Sequence, residues 1–169
     1  SYNTAMGSQA LYYTTTGHSN TVMGYLAMYG DAGATMSGMA NVAIGREALK
    51  VNTTAFYNVA VGSFSMMSNT TGNYNTAVGY GSLKDQSGSA NYNTAVGFLA
   101  GEELTTGDYN TLLGAFAGEE ITISNGTTAL GYMAGGGDSA SAATGEYNTA
   151  IGYAALTRYT SGHSNVAIG

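Results

Sequence analysis

The chain has 169 residues and a formal net charge of −6, and only 8% of its residues are charged. Ten acidic side chains against four basic ones predict no nucleic-acid partner, because phosphate backbones are bound through an excess of Lys and Arg. A hydrophobic content of 44% with so little charge excludes a disordered chain. No apolar run approaches the ~20 residues of a membrane-spanning helix, so we expect no membrane insertion in this segment.

One short unit, typified by NTAVG, recurs ten times, and its first residue serves here as an anchor. The anchors are Asn3, Asn20, Asn41, Asn58, Asn75, Asn93, Asn110, Thr127, Asn148 and Asn165. Six of the nine steps between anchors are 17 residues, and the others are 18 or 21. Steps that are lengthened but never shortened indicate stacked coils with an extensible loop. We therefore expect one repeat array over residues 1–169, a fragment of a longer fibre.

Four positions, numbered from the anchor, are restricted in residue type. Position +3 is Met, Ile, Val or Leu in every unit, position +2 is Ala in eight, and position −1 is Tyr in six. Position +4 is glycine in all ten: Gly7, Gly24, Gly45, Gly62, Gly79, Gly97, Gly114, Gly131, Gly152 and Gly169. We interpret these glycines as structural residues of the repeat.

The anchor and the four residues after it predict a short strand. Successive side chains of a strand point to opposite faces, so Val42 and Ile44 share one face, and Ala43 and Gly45 share the other. The first face is apolar and the second is nearly bare. Because Gly and Ala permit a second backbone to approach closely, we expect the bare face to contact further copies of the chain.

Two further local features follow the first strand. We predict a second strand through segments such as 80–83 and 153–156. Turns are predicted at the pattern TTGxYN, where Gly72, Gly107 and Gly145 supply the positive φ of a tight corner.

The repeat length selects the fold class. Seventeen residues are too few for two packed helices, and each interior Gly would cost a helix about 1 kcal/mol. We therefore predict an all-β chain, a parallel β-solenoid or β-roll of about ten 17-residue coils. One such coil is too narrow to insulate its apolar groups from water. This favours a homotrimer, intertwined or side by side around an axis.

Two families share this type of unit. "NVAIG" at 41–45 and "HSNVAIG" at 163–169 resemble the head repeats of trimeric autotransporter adhesins, which form left-handed parallel β-rolls. "TTGNYNTAVGYGSL" at 70–83 and "GEYNTAIGYAAL" at 145–156 resemble the shaft repeats of phage tail fibres more closely. The resemblance implies a trimeric shaft on a virion tail or an extracellular cell surface. It also implies attachment to a bacterial cell-surface glycan or protein through other parts of the fibre.

No arrangement of residues predicts an enzyme. His18 and His163 occupy the same repeat position but lie many coils apart, so each is interpreted as a solvated turn residue. No Ser or Thr has a neighbouring His and acid to activate it. We predict no catalytic residue and no cofactor.

The four carboxylates Glu102, Glu103, Glu119 and Glu120 lie one repeat apart in pairs. We expect them to stack one coil apart, with Lys84 one coil earlier in the same column. A solvated turn is the favoured interpretation. A Ca²⁺ site is the alternative, because clusters of carboxylate oxygens suit that ion.

Three surface features leave alternatives open. The extended loops 29–38 and 135–144 are the places where a receptor would bind, although simple bulges explain them as well. The Tyr column predicts stacked rings, with sugar binding through ring faces as the alternative. The Thr residues at position +1 suggest an ice- or mineral-binding solenoid, but valines interrupt the column: Val42, Val59 and Val166.

Overall fold

The computed structural model describes residues 2–136 and 143–169, and within these ranges every regular element is a β-strand. Ten three-residue strands, one per repeat, form a single parallel sheet in sequential order. They are β1 (Thr4–Met6), β2 (Thr21–Met23), β3 (Val42–Ile44), β4 (Val59–Val61), β5 (Thr76–Val78), β6 (Thr94–Val96), β7 (Thr111–Leu113), β8 (Thr128–Leu130), β9 (Thr149–Ile151) and β10 (Val166–Ile168). The predicted all-β parallel solenoid, with one coil per repeat, is confirmed.

Identical repeat positions lie on top of each other along the whole sheet. Val42 of β3 pairs with Val59 of β4, and Ile44 pairs with Val61. The register is kept across the 21-residue step between β8 and β9, where Thr128 pairs with Thr149. The extra residues of the long coils are therefore absorbed outside the strands, as the extensible-loop interpretation predicts.

The segments predicted as a second strand are turns. Residues 80–83 and 153–156 contain no strand, and Leu83 and Leu156 have left-handed φ angles of 49° and 54°. Their backbones still bond to neighbouring coils: the amide of Leu83 donates to the carbonyl of Ala100 at 3.0 Å. Repeated left-handed residues curve the chain too tightly for a strand, while the stack supplies the hydrogen bonds.

The glycines at position +4 are required by conformation and by space. Gly45 has a φ of +132°, and a Cβ atom added there would lie 2.5 Å from the carbonyl of Gly62 in the next coil.

Gly72 serves a different purpose from the one predicted. Its φ is not positive, and the left-handed residue of that corner is Tyr74, with φ 59°. Glycine is needed at position 72 because a Cβ there would collide with the backbone carbonyl oxygen of Ala90 in the next coil.

The assignment of the two strand faces was wrong. Ala43 and Ala60, from the bare face, are completely buried inside the chain's own coil. Ile44 and Val61, from the apolar face, point outward and are only half-buried. The interior is shared between the strands and large side chains that enter it from the turns, such as Leu83 and Leu104, so most coils have room only for Ala at position +2.

Stacked asparagines fill the rest of the interior along the strands. The amide N–H of Asn58 donates to Oδ1 of Asn41 at 3.0 Å, and the next anchor, Asn75, donates in the same way to Asn58 at 2.9 Å. Each Nδ2 also donates to a backbone carbonyl, as Asn58 does to Gly72 at 2.8 Å. This ladder satisfies polar groups that are shielded from water. It is interrupted at Thr127, where Oγ1 has no hydrogen-bond partner among the described residues.

Volumes inside the coil compensate for each other from one coil to the next. In the coil that starts at Asn75, the residue at position +8 is Leu83 and the residue at position +11 is the polar Gln86. In the next coil, position +8 is Gly101 and position +11 is Leu104. All four residues are buried. A Cβ atom on Gly101 would lie 2.6 Å from Cδ1 of Leu112. The interior therefore has a fixed capacity that different coils fill from different positions.

Candidate functional site: the outward face of the sheet

The outward side of the sheet carries a continuous row of apolar side chains along the described strands. It is formed by positions −1, +1, +3 and +5, which alternate with the buried positions 0 and +2, and we call it the outer face. Its +3 row is half-buried or exposed throughout: Met6, Met23, Ile44, Val61, Val78, Val96, Leu113, Leu130, Ile151 and Ile168. Leu130 is 45% exposed and Val96 is 38% exposed. Apolar side chains in these numbers at the surface indicate a contact region.

Two rows of aromatic rings border the outer face. The first aromatic row, at position −1, is Tyr57, Tyr74, Tyr92 and Tyr109, with ring centroids 5.4, 4.9 and 5.2 Å apart. The second aromatic row, at positions +5 and +6, is Phe64, Tyr80, Phe98, Phe116, Tyr132 and Tyr153, with successive centroids 5.3 to 5.7 Å apart. The predicted stacking of Tyr rings is confirmed.

Ring orientation decides how the first aromatic row can be used. The planes of Tyr74 and Tyr92 differ by only 4°, and those of Tyr92 and Tyr109 by 3°. Each ring in the middle of the row therefore covers the faces of its neighbours and presents its edge to the outside. Sugars bind aromatic residues through the ring face, so this arrangement disfavours the sugar-binding alternative at these residues.

Charge is almost absent from the outer face. Among the described residues at its four positions, only Arg46 is charged. Its Nε donates to Glu47 Oε1 at 3.1 Å, and its guanidinium carbon lies 5.2 Å from the centre of the Phe64 ring. Hydrogen bonding from Lys50 and from Arg46 lowers the pKa of Glu47. The one cation on the face thus has partners within its own chain.

The predicted carboxylate column forms, but it is tied to a lysine. Lys84 Nζ lies 2.6 Å from Oε1 of Glu102, and the amide of Glu103 donates to the carbonyl of Glu119 at 3.1 Å, one coil away. Burial, followed by the charges of Glu102, Glu120 and Glu103, raises the pKa of Glu119. Within residues 2–136 and 143–169, no group of three or more His, Cys, Asp or Glu side chains is placed to hold a metal ion.

The two histidines lie on exposed turns at opposite ends of the array. Nδ1 of His18 lies 3.2 Å from the hydroxyl of Ser19, and His18 lines an open hollow with Tyr2 and Leu11. Nδ1 of His163 accepts the backbone amide of Glu146 at 3.1 Å. The structure does not bring these residues together.

The two extended loops differ in how much is described. Segment 29–38 is a bulge anchored by Met36, which is buried, and by Gly30, whose amide donates to Lys50 at 2.8 Å. Segment 135–144 contains residues 137–142, which lie outside the described residues. Its end re-enters the stack at Ala143, which is buried and pairs with Ile121.

The threonines of position +1 lie on the outer face. They occupy five adjacent strands, β5 to β9, and are half-buried between the two aromatic rows. In β3 and β4 the same position is Val42 and Val59. The Thr column is thus regular over half of the sheet and interrupted elsewhere.

Comparisons of this chain with protein-family models, with curated proteins and with solved structures found no match. The part of the chain that the structure describes contains no long apolar helix of the kind that spans a membrane.

Sequence reasoning recognised the apolar row but assigned the Ala and Gly side of the strand to the surface, whereas the structure encloses that side and exposes the apolar row. The useful signal was the +3 row, which is Met, Ile, Val or Leu in all ten units and never Ala. A large side chain from this row in every coil, added to those that enter from the turns, such as Leu83 and Leu104, would exceed the fixed capacity of the interior.

Proposed function

We propose that this chain is the structural shaft of a trimeric fibre of the phage tail-fibre type, serving host-cell-surface attachment. The single observation that supports it is the unbroken register of ten parallel strands along one sheet. With neighbouring strands about 4.8 Å apart, such a stack extends about 43 Å, and each further coil adds the same increment. A solenoid of this kind sets distance without needing a reactive group.

A fibre of this type works on a virion tail or an extracellular cell surface and holds its tip against a bacterium. The shaft supplies reach and stiffness, and other parts of the fibre bind the bacterial glycan or protein. Interlocked hydrogen bonds suit this role: the anchor amides, the strand pairs and the turns all bond to the adjacent coil. No enzymatic step and no cofactor is part of this proposal.

Mass and shape in solution test it. Light scattering should return three times the chain mass of 17.2 kDa, and electron micrographs should show short rods. A compact particle of single-chain mass at micromolar concentration would contradict the trimeric shaft. The head of a trimeric autotransporter adhesin is the related alternative. It predicts an outer-membrane anchor in the same gene, whereas a tail fibre predicts neighbouring baseplate genes.

An ice- or mineral-binding solenoid is the second candidate, because five adjacent strands present Thr outward in register. Thermal hysteresis measures it directly. The shaft proposal predicts none, while a freezing-point depression that disappears in Thr111→Leu would replace the fibre role with ice binding.

A further inference from the structure

The outer face is large enough to form a stable protein interface. From position −1 to position +5 it spans six residues, about 20 Å, and along ten strands it spans about 43 Å, which gives about 900 Å². A stable interface buries about 800 Å² on each partner, which is close to the area of the whole outer face.

The periodicity of the face selects its occupant. The +3 side chain is apolar on every strand, about 4.8 Å from the next one, over the full length of the sheet. A partner that covers this surface must present matching rows at the same spacing. A second copy of this chain, laid parallel and at the same height, does so at every coil. The charged residues of the described coils agree with this arrangement, because the acidic column of Glu102 and Glu119 lies off the outer face.

We propose that the outer face is the contact between parallel copies of this chain, and that the first aromatic row of one copy packs against the second aromatic row of the next. This inference rests on the trimeric fibre proposed above and assigns its contact surface. The face has two different edges, Tyr at position −1 and Tyr or Phe at position +5. A contact between unlike edges is heterologous, and three such contacts close a ring around a three-fold axis. The +3 rows of the three copies then face the axis and are removed from water.

A matched pair of substitutions tests the surface. Leu130 lies on the outer face and is 45% exposed; Ile123 lies off it and is 49% exposed. Leu130→Glu places a carboxylate in the apolar contact and should convert the assembly to single chains at concentrations where the wild type is assembled. Ile123→Glu makes the same chemical change at similar exposure and should leave the mass unchanged. Circular dichroism should show the same β signal for both variants, since each side chain is outside the coil.

Cross-linking tests the pairing of the edges, and the absence of native cysteine makes the result readable. Tyr92 and Phe98 lie at the same height on the first and second aromatic rows, and both side chains are about half exposed. The double variant Tyr92→Cys with Phe98→Cys, treated with a short bismaleimide, should give a covalent trimer on a denaturing gel. Each single variant should remain a monomer, because like edges do not meet.

The outcomes separate the contact surface from the fibre itself. An assembled wild type that Leu130→Glu does not dissociate would overturn the proposed surface and leave the trimeric shaft standing. Covalent dimers from a single-cysteine variant would overturn the pairing of unlike edges, since they require like edges in contact. A wild type of single-chain mass would overturn both the surface and the trimer.

Discussion

The asparagine ladder offers the sharpest test of the interior. Asn93 is buried; its Nδ2 donates to the carbonyl of Gly107 at 2.8 Å, and its Oδ1 accepts the amide N–H of Asn110 at 2.9 Å. Asn93→Thr replaces the amide by a shorter polar side chain and reproduces the natural interruption at Thr127. The substitution leaves a buried carbonyl and a buried N–H without these partners.

Each buried group that loses its partner costs about 1–3 kcal/mol, so the loss of two partners should lower the free energy of unfolding by about 2–6 kcal/mol. In a chain of this size about 1 kcal/mol shifts the melting temperature by about 2–4 °C, so the melting temperature should fall by at least about 4 °C. Urea unfolding followed by circular dichroism measures it, at one fixed protein concentration because assembly contributes to stability.

The control for this experiment is Thr94→Val, one residue further along the chain. Thr94 lies on the outer face, and the equivalent position in β3 and β4 is already valine. Its unfolding free energy should change by less than about 0.5 kcal/mol. A loss below about 1 kcal/mol for Asn93→Thr, with the control unchanged, would refute the view that the ladder satisfies groups that water cannot reach.

The remaining predictions concern the ladder gap, the glycine column and the acidic column. Thr127→Asn should raise the unfolding free energy by about 1–2 kcal/mol, because it replaces a hydroxyl without a partner by an amide that the next anchor, Asn148, can use; an unchanged urea midpoint would contradict this. Gly62→Ala should prevent folding or lower the free energy of unfolding by more than about 3 kcal/mol, because φ is +137° and the new Cβ would lie 2.6 Å from the carbonyl carbon of Gly79. The control is Gly88→Ala, where no atom lies within 4 Å of the new Cβ, and it should cost about 1 kcal/mol. Because the pKa of Glu119 is raised, the fold is more stable with this carboxyl protonated than with it ionised. That stability is fully present below the ordinary carboxyl pKa of about 4.3 and is lost as pH rises through the raised pKa. Glu119→Gln should therefore have a higher melting temperature than the wild type at pH 7 and the same one near pH 3, and a difference that grows toward acid pH would show the sign to be wrong.

The period of the chain was enough to predict the strands and their register. A repeated unit with a fixed anchor can only stack in phase, because a one-residue slip would move Asn58 out of the ladder and Gly62 away from Gly79. The stacking of Lys84 above Glu102 and of Tyr74 above Tyr92 followed from the same spacing and is present in the structure. Local sequence was less informative about the turns, where Tyr74 and Leu83 adopt left-handed angles that residue preferences disfavour.

What the sequence determined by itself is the order of the molecule along its axis: one strand per unit, parallel, in register, with glycine where two backbones meet. What only the tertiary structure decided is the direction across that axis. Alternation divides Ala43 from Ile44 but does not say which side is enclosed. The packing inside the closed coil decides it, because large side chains such as Leu83 and Leu104 enter the interior from the turns and leave room there for Ala43 but not for Ile44.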